Sequence, residues 1–185
     1  MLGFGMPMSP FVLADEVGND VGEKVSKVFH EAYGERMVVP KLLTLMNEHK
    51  LYGKKSGKGF YIYSGDVAKE RNPQVDELKN SLKIPSNPTP DDDIVDRVIF
   101  TMINEASRCL YTVIDEPAYL DMALIMGIGF PPFRGGLLRY ADHVGIDHVV
   151  KKLQAFEKAY GPRFAPSEKL LEMQRDHKTF FNTKA

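Results

Sequence analysis

The fold is decided by two similar stretches of sequence: residues 3–36 read GFGMPMSPFVLADEVGNDVGEKVSKVFHEAYGER, and residues 127–163 read GIGFPPFRGGLLRYADHVGIDHVVKKLQAFEKAYGPR. Their opening glycines and proline match at an offset of 124: Gly3, Gly5 and Pro7 against Gly127, Gly129 and Pro131. Three residues are then inserted, and at the new offset of 127 the matched pairs include Asp15 with Asp142, Gly18 with Gly145, Phe29 with Phe156 and Tyr33 with Tyr160. Such self-similarity indicates a duplicated helical unit whose halves pack on each other.

The two copies differ in what comes before them. A long helical pattern over residues 92–126 precedes the second copy, whereas only Met1 and Leu2 precede the first. If the copies are equivalent, the first lacks its leading helix. We therefore expect the chain to begin inside a domain, and the surface exposed there to be apolar and able to drive self-association.

Composition limits the classes of function. At 185 residues the chain fits one domain or two small ones. Its 24 basic and 25 acidic residues give a net charge of −1, which argues against a nucleic-acid or anionic-membrane partner. The single Cys109 cannot form an internal disulfide and is predicted to be a small buried apolar residue. The sequence has neither a signal peptide pattern at residues 1–20 nor an apolar run long enough for a membrane span.

Apolar periodicity and terminal signals predict a helical chain. The predicted helices cover residues 10–17, 20–33, 40–51, 92–113 and 117–126, with a final helix capped by Ser167. Gly18, Gly34 and Gly161 are predicted helix ends. Asp20 and Glu23 have the spacing of a capping box, and Asp147 is the corresponding cap in the second copy. In the longest helix, Asn104 falls opposite the apolar stripe, where a solvated or interface position is favoured over a catalytic one.

Two glycine-rich loops resemble phosphate-binding loops, but neither matches the corresponding sequence fingerprint. The first, from Gly3, has Met8 where the dinucleotide fingerprint needs its third glycine. The second, from Gly53 to Gly59, has one residue too few for a P-loop and a glycine at its Ser/Thr position. It predicts a mobile basic turn before a short extended segment. Contact of Lys54, Lys55 or Lys58 with an anionic ligand stays open.

The sequence contains no recognisable arrangement of catalytic residues. The five histidines have no zinc-motif spacing: His30, His49, His143, His148 and His177. Neither a Ser-His nor a Cys-His arrangement is visible. The sequence therefore predicts no catalytic, cofactor-binding or metal-binding residue.

Three separated motifs nevertheless resemble a known family. Residues 3–18 resemble the G-x-P-M-G-P-F-x-L-x-D-x-x-G signature of L-3-hydroxyacyl-CoA dehydrogenases, with Ser9 in place of the usual glycine. Residues 53–63 resemble that family's G-R-K-T-G-K-G-F-Y segment. The second copy is similar to the C-terminal repeat of multifunctional fatty-acid β-oxidation α-subunits, including that of the trifunctional protein.

The resemblance implies an all-α fold made of two tandem copies of the helical domain that 3-hydroxyacyl-CoA and 6-phosphogluconate dehydrogenases carry at their C-termini. The first copy, truncated at its start, would occupy residues 1–63. Residues 64–91 would be a linker, and residues 92–185 the second copy.

The resemblance also implies a function. The intact enzyme would carry an enoyl-CoA hydratase domain and an NAD-binding Rossmann domain upstream, and would oxidise L-3-hydroxyacyl-CoA to 3-ketoacyl-CoA. The family's catalytic His and Glu, and a supporting Asn, would lie upstream of Met1. The equivalent place in the second copy, near Asp96 and Arg97, has no Asn, so no catalytic role is carried onto Asn104. We expect this chain alone to bind no NAD and to be inactive.

The family role left for this chain is structural and substrate-facing. The loop at Met6, Pro7 and Met8 would face the acyl-CoA cleft, and the second copy would imitate the partner subunit of dimeric relatives. A thiolase β-subunit is an implied partner, and the compartment would be cytoplasmic in a bacterium or the mitochondrial matrix in a eukaryote. The alternative is a stand-alone, non-enzymatic helical interaction module. A single-function dehydrogenase is disfavoured by the second copy.

Overall fold

A computed structural model of the chain describes residues 1–65, 67–83 and 89–181. Nine α-helices lie in these residues: α1 (Pro10–Val17), α2 (Asn19–Tyr33), α3 (Lys41–Glu48), α4 (Pro73–Ser81), α5 (Asp91–Cys109), α6 (Pro117–Ile128), α7 (Leu137–Val144), α8 (Ile146–Tyr160) and α9 (Glu168–Arg175). The two strands, β1 (Tyr61–Ser64) and β2 (Val67–Arg71), form an antiparallel hairpin. The all-α prediction is confirmed.

The chain forms two compact units. The small unit is Met8–Pro88, and the large unit joins Met1–Pro7 to Thr89–Ala185. The first seven residues therefore pack with residues of the second copy, while the expected copy boundaries stay a prediction. The expected linker at 64–91 contains β2 and α4, although Asp66 and residues 84–88 of that range lie outside the described residues.

In the small unit, glycines end the helices as predicted. Gly18 (φ 103°) follows α1 and Gly34 (φ 60°) follows α2, both in backbone conformations that favour glycine. The predicted capping box is wrong: α2 begins at Asn19, Asp20 binds Lys55, and Glu23 accepts from Asn47 Nδ2 at 2.7 Å. A small apolar core is formed by Met46, Leu51, Val75 and Leu78.

The large unit contains the main core. α5, α7, α8 and α9 bury its central apolar side chains, which include Ile99, Phe100, Leu138, Val149, Leu153 and Leu170. Ser167 caps α9 as predicted, accepting from Leu170 N at 3.1 Å. Asp147 is not a cap, because α8 begins one residue earlier at Ile146. The burial prediction for Cys109 is also wrong: α5 ends there, and its thiol is exposed.

The order of elements in the small unit recurs in the large unit. α1, Gly18 and α2 correspond to α7, Gly145 and α8, and the two glycines have similar backbone angles (φ 103° and ψ 124°, against φ 92° and ψ 128°). Both α2 and α8 are followed by a short 3-10 turn and then by another eight-residue helix, α3 or α9.

Candidate functional site

The glycine–proline loops of the two copies contact each other within the large unit. A Cβ built on Gly129 (φ 69°) would lie 2.8 Å from Pro7 Cγ. The corresponding residues Gly5 and Pro131 make the same contact with the two copies exchanged: a Cβ on Gly5 (φ 109°) would lie 3.0 Å from Pro131 Cγ. Real Cβ atoms essentially never come within 3.0 Å of another heavy atom, and a Cβ on Gly5 would also lie 2.6 Å from Phe133 Cζ. Since both glycines also have positive φ, both positions favour glycine. The packing holds Gly5 and Pro7, which flank Met6 in the predicted substrate loop.

Phe4 anchors this loop in the core of the large unit. Its ring packs edge-on against Phe130 (centroids 5.9 Å apart) and Tyr140 (5.2 Å). The Arg134 guanidinium lies 3.8 Å from the centre of the Phe4 ring, and Arg134 Nε donates a hydrogen bond to Phe4 O at 2.9 Å. Arg134 thus binds both the side chain and the backbone of Phe4, a role that the sequence alone did not reveal.

A cavity of about 610 Å³ opens beside Phe4. It is lined by Met1, Gly3, Phe4, Asp92, Ile94, Val95, Asp96, Arg134 and Tyr140. Burial raises the pKa of the Tyr140 hydroxyl, so this group stays protonated and can donate a hydrogen bond at neutral pH. The cavity combines carboxylates with one cation, and the cation is already engaged by Phe4.

The three predicted substrate-contacting residues differ in exposure. Met6 is half-buried and packs against the core of the large unit. Pro7 is exposed and contacts Gly129. Met8, with 38% of its surface exposed, is the first residue of the small unit. Their contact with a substrate stays a prediction.

In each copy, one aspartate accepts backbone hydrogen bonds from a later part of the same copy. Asp15 is fully buried, and its two carboxylate oxygens accept from Phe60 N and Tyr61 N, each at 2.9 Å. Its repeat mate Asp142 accepts from Phe180 N at 2.8 Å and Phe181 N at 2.9 Å. The aspartate match was visible in the sequence, but its bonding partners were not, because they lie about 40 residues away along the chain.

Local environment sets the protonation behaviour of these groups. Burial raises the pKa of Asp142 above its ordinary value, although the two backbone N–H donors oppose the shift. In the small unit, Tyr63 donates to Asp15 at 3.0 Å, and burial together with this carboxylate raises the pKa of Tyr63. Both arrangements are those of structural hydrogen-bond centres.

The basic turn is built into the small unit by ion pairs. Lys54 Nζ lies 3.0 Å from Glu16 Oε2, and Lys55 Nζ lies 2.5 Å from Asp20 Oδ1. The hydrogen bond from Lys55 lowers the pKa of Asp20. Two of the three lysines that were open candidates for an anionic ligand therefore face carboxylates instead.

The described residues do not contain the parallel strand–turn–helix unit of a Rossmann-type NAD site. Their only sheet is the antiparallel hairpin of β1 and β2. A Cβ on Gly59 or Gly53 would collide with Asp15, so these glycines serve close packing rather than a phosphate cradle. Across residues 1–65, 67–83 and 89–181, no group of three His, Cys, Asp or Glu side chains is placed to hold a metal ion.

Asn104 lies inside the large unit and not at the predicted solvated or interface position. It is fully buried, donates to Ala165 O at 2.9 Å and accepts from Ser167 N at 2.8 Å. The side chain therefore joins α5 to the segment that leads into α9. The sequence pattern of α5 could not reveal this bonding partner, because the partner lies some 60 residues away along the chain.

Comparison with known proteins identifies the class. Residues 1–63 and 94–184 match the family described as "3-hydroxyacyl-CoA dehydrogenase, C-terminal domain". The chain therefore belongs to the 3-hydroxyacyl-CoA dehydrogenase C-terminal domain family, a family that is NAD-dependent in general.

Curated relatives narrow the comparison further. The chain is 40% identical over 184 residues to the fatty acid oxidation complex subunit alpha of Vibrio parahaemolyticus, and 40% identical over 184 residues to that of Shewanella amazonensis. Each alignment covers 98% of this chain and 26% of the relative, so the chain spans about a quarter of the length of these multidomain proteins.

Solved structures show the same fold. A 3-hydroxybutyryl-CoA dehydrogenase from Escherichia coli aligns with a TM-score of 0.70 and 18% identity, over 91% of this chain and 51% of that one. The dehydrogenase part of multifunctional enzyme 1 from C. elegans aligns with a TM-score of 0.65 and 24% identity, over 92% of this chain and 40% of that one.

In the part of the chain that the structure describes, no helix has both the length and the apolar character to cross a bilayer.

Proposed function

We propose that this chain is the C-terminal helical part of an L-3-hydroxyacyl-CoA dehydrogenase of fatty-acid β-oxidation. The intact enzyme would oxidise L-3-hydroxyacyl-CoA to 3-ketoacyl-CoA and transfer hydride to NAD bound by an upstream domain. The observation that carries this proposal is the 40% identity with a fatty acid oxidation complex subunit alpha over 98% of the chain. Residues 1–63 and 92–185 would be the two helical copies.

Within that enzyme, the chain would form one wall of the acyl-CoA cleft and brace it. Met6, Pro7 and Met8 are the proposed substrate-contacting residues, because flexible methionines adapt to acyl chains of different lengths. The anchoring of Phe4 by Arg134 supports this role, since it fixes the residues just before the proposed contact.

Upstream hydratase and NAD-binding domains, and a thiolase β-subunit, are the proposed partners. The bacterial relatives favour a cytoplasmic location.

A chimera tests the proposal. The chain would replace the corresponding quarter of the Vibrio parahaemolyticus relative, and NADH formation from NAD and a 3-hydroxyacyl-CoA would be followed. We expect an active chimera, and no turnover by the chain alone with 3-hydroxybutyryl-CoA. In the chimera, replacing Met6 and Met8 with Ala should raise KM for long acyl chains by several-fold with little change in kcat. Met122→Ala, at an exposed methionine of α6, is the matched control.

Two outcomes would reject the proposal. Turnover by the chain alone would show that it carries its own catalytic centre. A folded chimera that binds NAD yet lacks dehydrogenase activity would instead favour the non-enzymatic interaction module. The exposed apolar side chains of α6 motivate that second candidate: Tyr119, Met122 and Met126, the last with 81% of its surface exposed.

A further inference from the structure

A cleft of about 480 Å³ lies in the large unit beside the first half of α5. Its lining, as the described residues define it, combines apolar side chains with two arginines and includes no carboxylate: Ile94, Arg97, Val98, Thr101, Met102, Arg163 and Phe164. Clefts of this size, mostly apolar with a few polar groups, are typical small-molecule sites. We call it the two-arginine cleft.

Aromatic rings hold the two guanidinium groups of this cleft. The Arg97 guanidinium lies 3.9 Å from the centre of the Tyr160 ring and 5.7 Å from that of Phe164. The Arg163 guanidinium lies 5.4 Å from the centre of the same Phe164 ring. Contact with a ring leaves the N–H edges of a planar guanidinium able to donate. Because both arginines lie against one ring, a single small ligand can contact both.

The positive charge of the cleft is not compensated. In the part of the chain that the structure describes, neither Arg97 nor Arg163 is paired with a carboxylate. Asp93, one turn before Arg97 on α5, instead binds Lys152 at 2.7 Å. The Thr101 hydroxyl donates to Arg97 O at 2.6 Å, so the guanidiniums are the donors that remain for a ligand. Two cations with free donor edges favour an anion with more than one charge.

The repeat shows that this arrangement differs between the copies. At the offset of 127, Tyr33 and Arg36 correspond to Tyr160 and Arg163. In the first copy the Arg36 guanidinium lies over its own tyrosine, 4.7 Å from the ring centre. In the second copy an arginine of α5 occupies the tyrosine face, and Arg163 lies over Phe164. The conserved arginine position is thus combined with a second cation beside the cleft.

We propose that the two-arginine cleft binds a small, soluble phosphate ester that carries a short apolar group. The two guanidiniums match the charge and the oxygens of a phosphate dianion, and Ile94, Val98 and Met102 would contact the apolar group. A soluble ester is favoured over a membrane lipid, because a chain of net charge −1 is only weakly attracted to an anionic surface. The proposal does not depend on the proposed dehydrogenase function.

Calorimetric titration of the whole chain tests the proposal. The probe is octyl phosphate, kept below the concentration at which it forms micelles, and the comparison ligands are inorganic phosphate and octanoate. We expect one octyl phosphate per chain. Inorganic phosphate should bind at least about fivefold more weakly because it buries no apolar surface, and octanoate likewise because it carries only one charge.

Arg163→Gln is the decisive variant, because Arg163 is exposed and its replacement should leave the fold intact, which circular dichroism would verify. It should weaken octyl phosphate by about tenfold. Ile94→Gln removes an apolar side chain that is 45% exposed. It should weaken octyl phosphate several-fold and leave inorganic phosphate within about twofold. Arg175→Gln, which removes a cation outside the cleft, is the matched control and should change neither affinity by more than about twofold.

Four results would overturn the proposal. The first is no saturable binding of octyl phosphate, and the second is binding that Arg163→Gln leaves unchanged. The third is octanoate binding as tightly as octyl phosphate, since the cleft would then select a single carboxylate. The fourth is binding of vesicles of phosphatidylglycerol and phosphatidylcholine without binding of octyl phosphate, which would assign the cleft to a lipid headgroup.

Discussion

Pro7 packs against Gly129, and their repeat mates Pro131 and Gly5 make the same contact in the opposite direction. Reciprocal contacts of this kind are typical of twofold-related surfaces between identical subunits. Here both surfaces belong to one chain. A Cβ on Gly129 would overlap Pro7, which makes the contact directly testable.

Gly129→Ala should destabilise the chain by about 1–3 kcal/mol, because it adds both a steric overlap with Pro7 and a strained positive φ. The free energy of unfolding in urea measures this loss. Gly127→Ala is the matched control: a Cβ there meets nothing within 4 Å and lies inside α6. The control should be neutral or stabilising by up to about 1 kcal/mol. Equal effects at the two positions would refute the packing argument.

Removing the Arg134 side chain should loosen residues 1–7. Arg134→Met should lower the free energy of unfolding by about 1–3 kcal/mol and increase proteolysis near the N-terminus, because Phe4 loses a hydrogen bond and a stacked cation. Arg134→Lys should recover only a small part, since lysine lacks the planar guanidinium. Arg175, whose side chain is 74% exposed, provides the control substitution Arg175→Met. Full recovery by lysine would mean that charge alone matters.

Asp142→Asn should cost about 1–3 kcal/mol at neutral pH, because an amide can accept only one of the two backbone N–H bonds at Phe180 and Phe181. Urea unfolding measures the difference.

The pH dependence of that difference has a definite sign. The raised pKa of Asp142 means that the folded state binds its proton more tightly than the unfolded state. The resulting stability is fully present below the unfolded pKa and is lost as pH rises through the folded pKa. The asparagine variant lacks this contribution, so its deficit should widen as pH falls from about 7 to about 4. A deficit that narrows over this range would contradict the assignment.

Asn104→Ala should destabilise the chain by about 1–3 kcal/mol, because Ser167 N–H is left buried without its acceptor. Ala165 O keeps a bond from Arg108, which limits the loss. In the active chimera, the same substitution should lower thermal stability while kcat and KM at low temperature stay within about twofold. A large fall in kcat with unchanged stability would restore the catalytic interpretation.

The Cys109 thiol should react with a disulfide reagent at a rate close to that of a free thiol, since it is exposed at the end of α5. Cys109→Ser should change the free energy of unfolding by less than about 0.5 kcal/mol. Reaction only after addition of denaturant would show that the thiol is buried.

Local signals predicted much of the helical fold. Pro10, Gly18, Pro117 and Ser167 each start or end a helix where expected, because capping and φ restriction act through immediate neighbours. The capping box failed because Asp20 and Glu23 find stronger partners in Lys55 and Asn47, which are distant in sequence.

The candidate site was less accessible to sequence reasoning for the same physical cause. Met6, Pro7 and Met8 were chosen from a family motif, whereas the partners of Phe4 lie some 130 residues further along. Periodicity placed Cys109 inside an apolar stripe, but the helix ends at that residue and the side chain turns outward. Pattern identifies which faces are apolar, and tertiary contacts decide which of them are covered.

The division of the chain into units has a practical consequence for dissecting it. Because Met1–Pro7 packs with Thr89–Ala185, the large unit is discontinuous in sequence, and the small unit lies between its two segments along the chain. A recombinant piece starting at residue 89 would lack Phe4, and the faces of Phe130 and Tyr140 that pack against it would be exposed to solvent. Anyone shortening this protein should instead excise residues 8–88 and bridge the gap with a flexible loop.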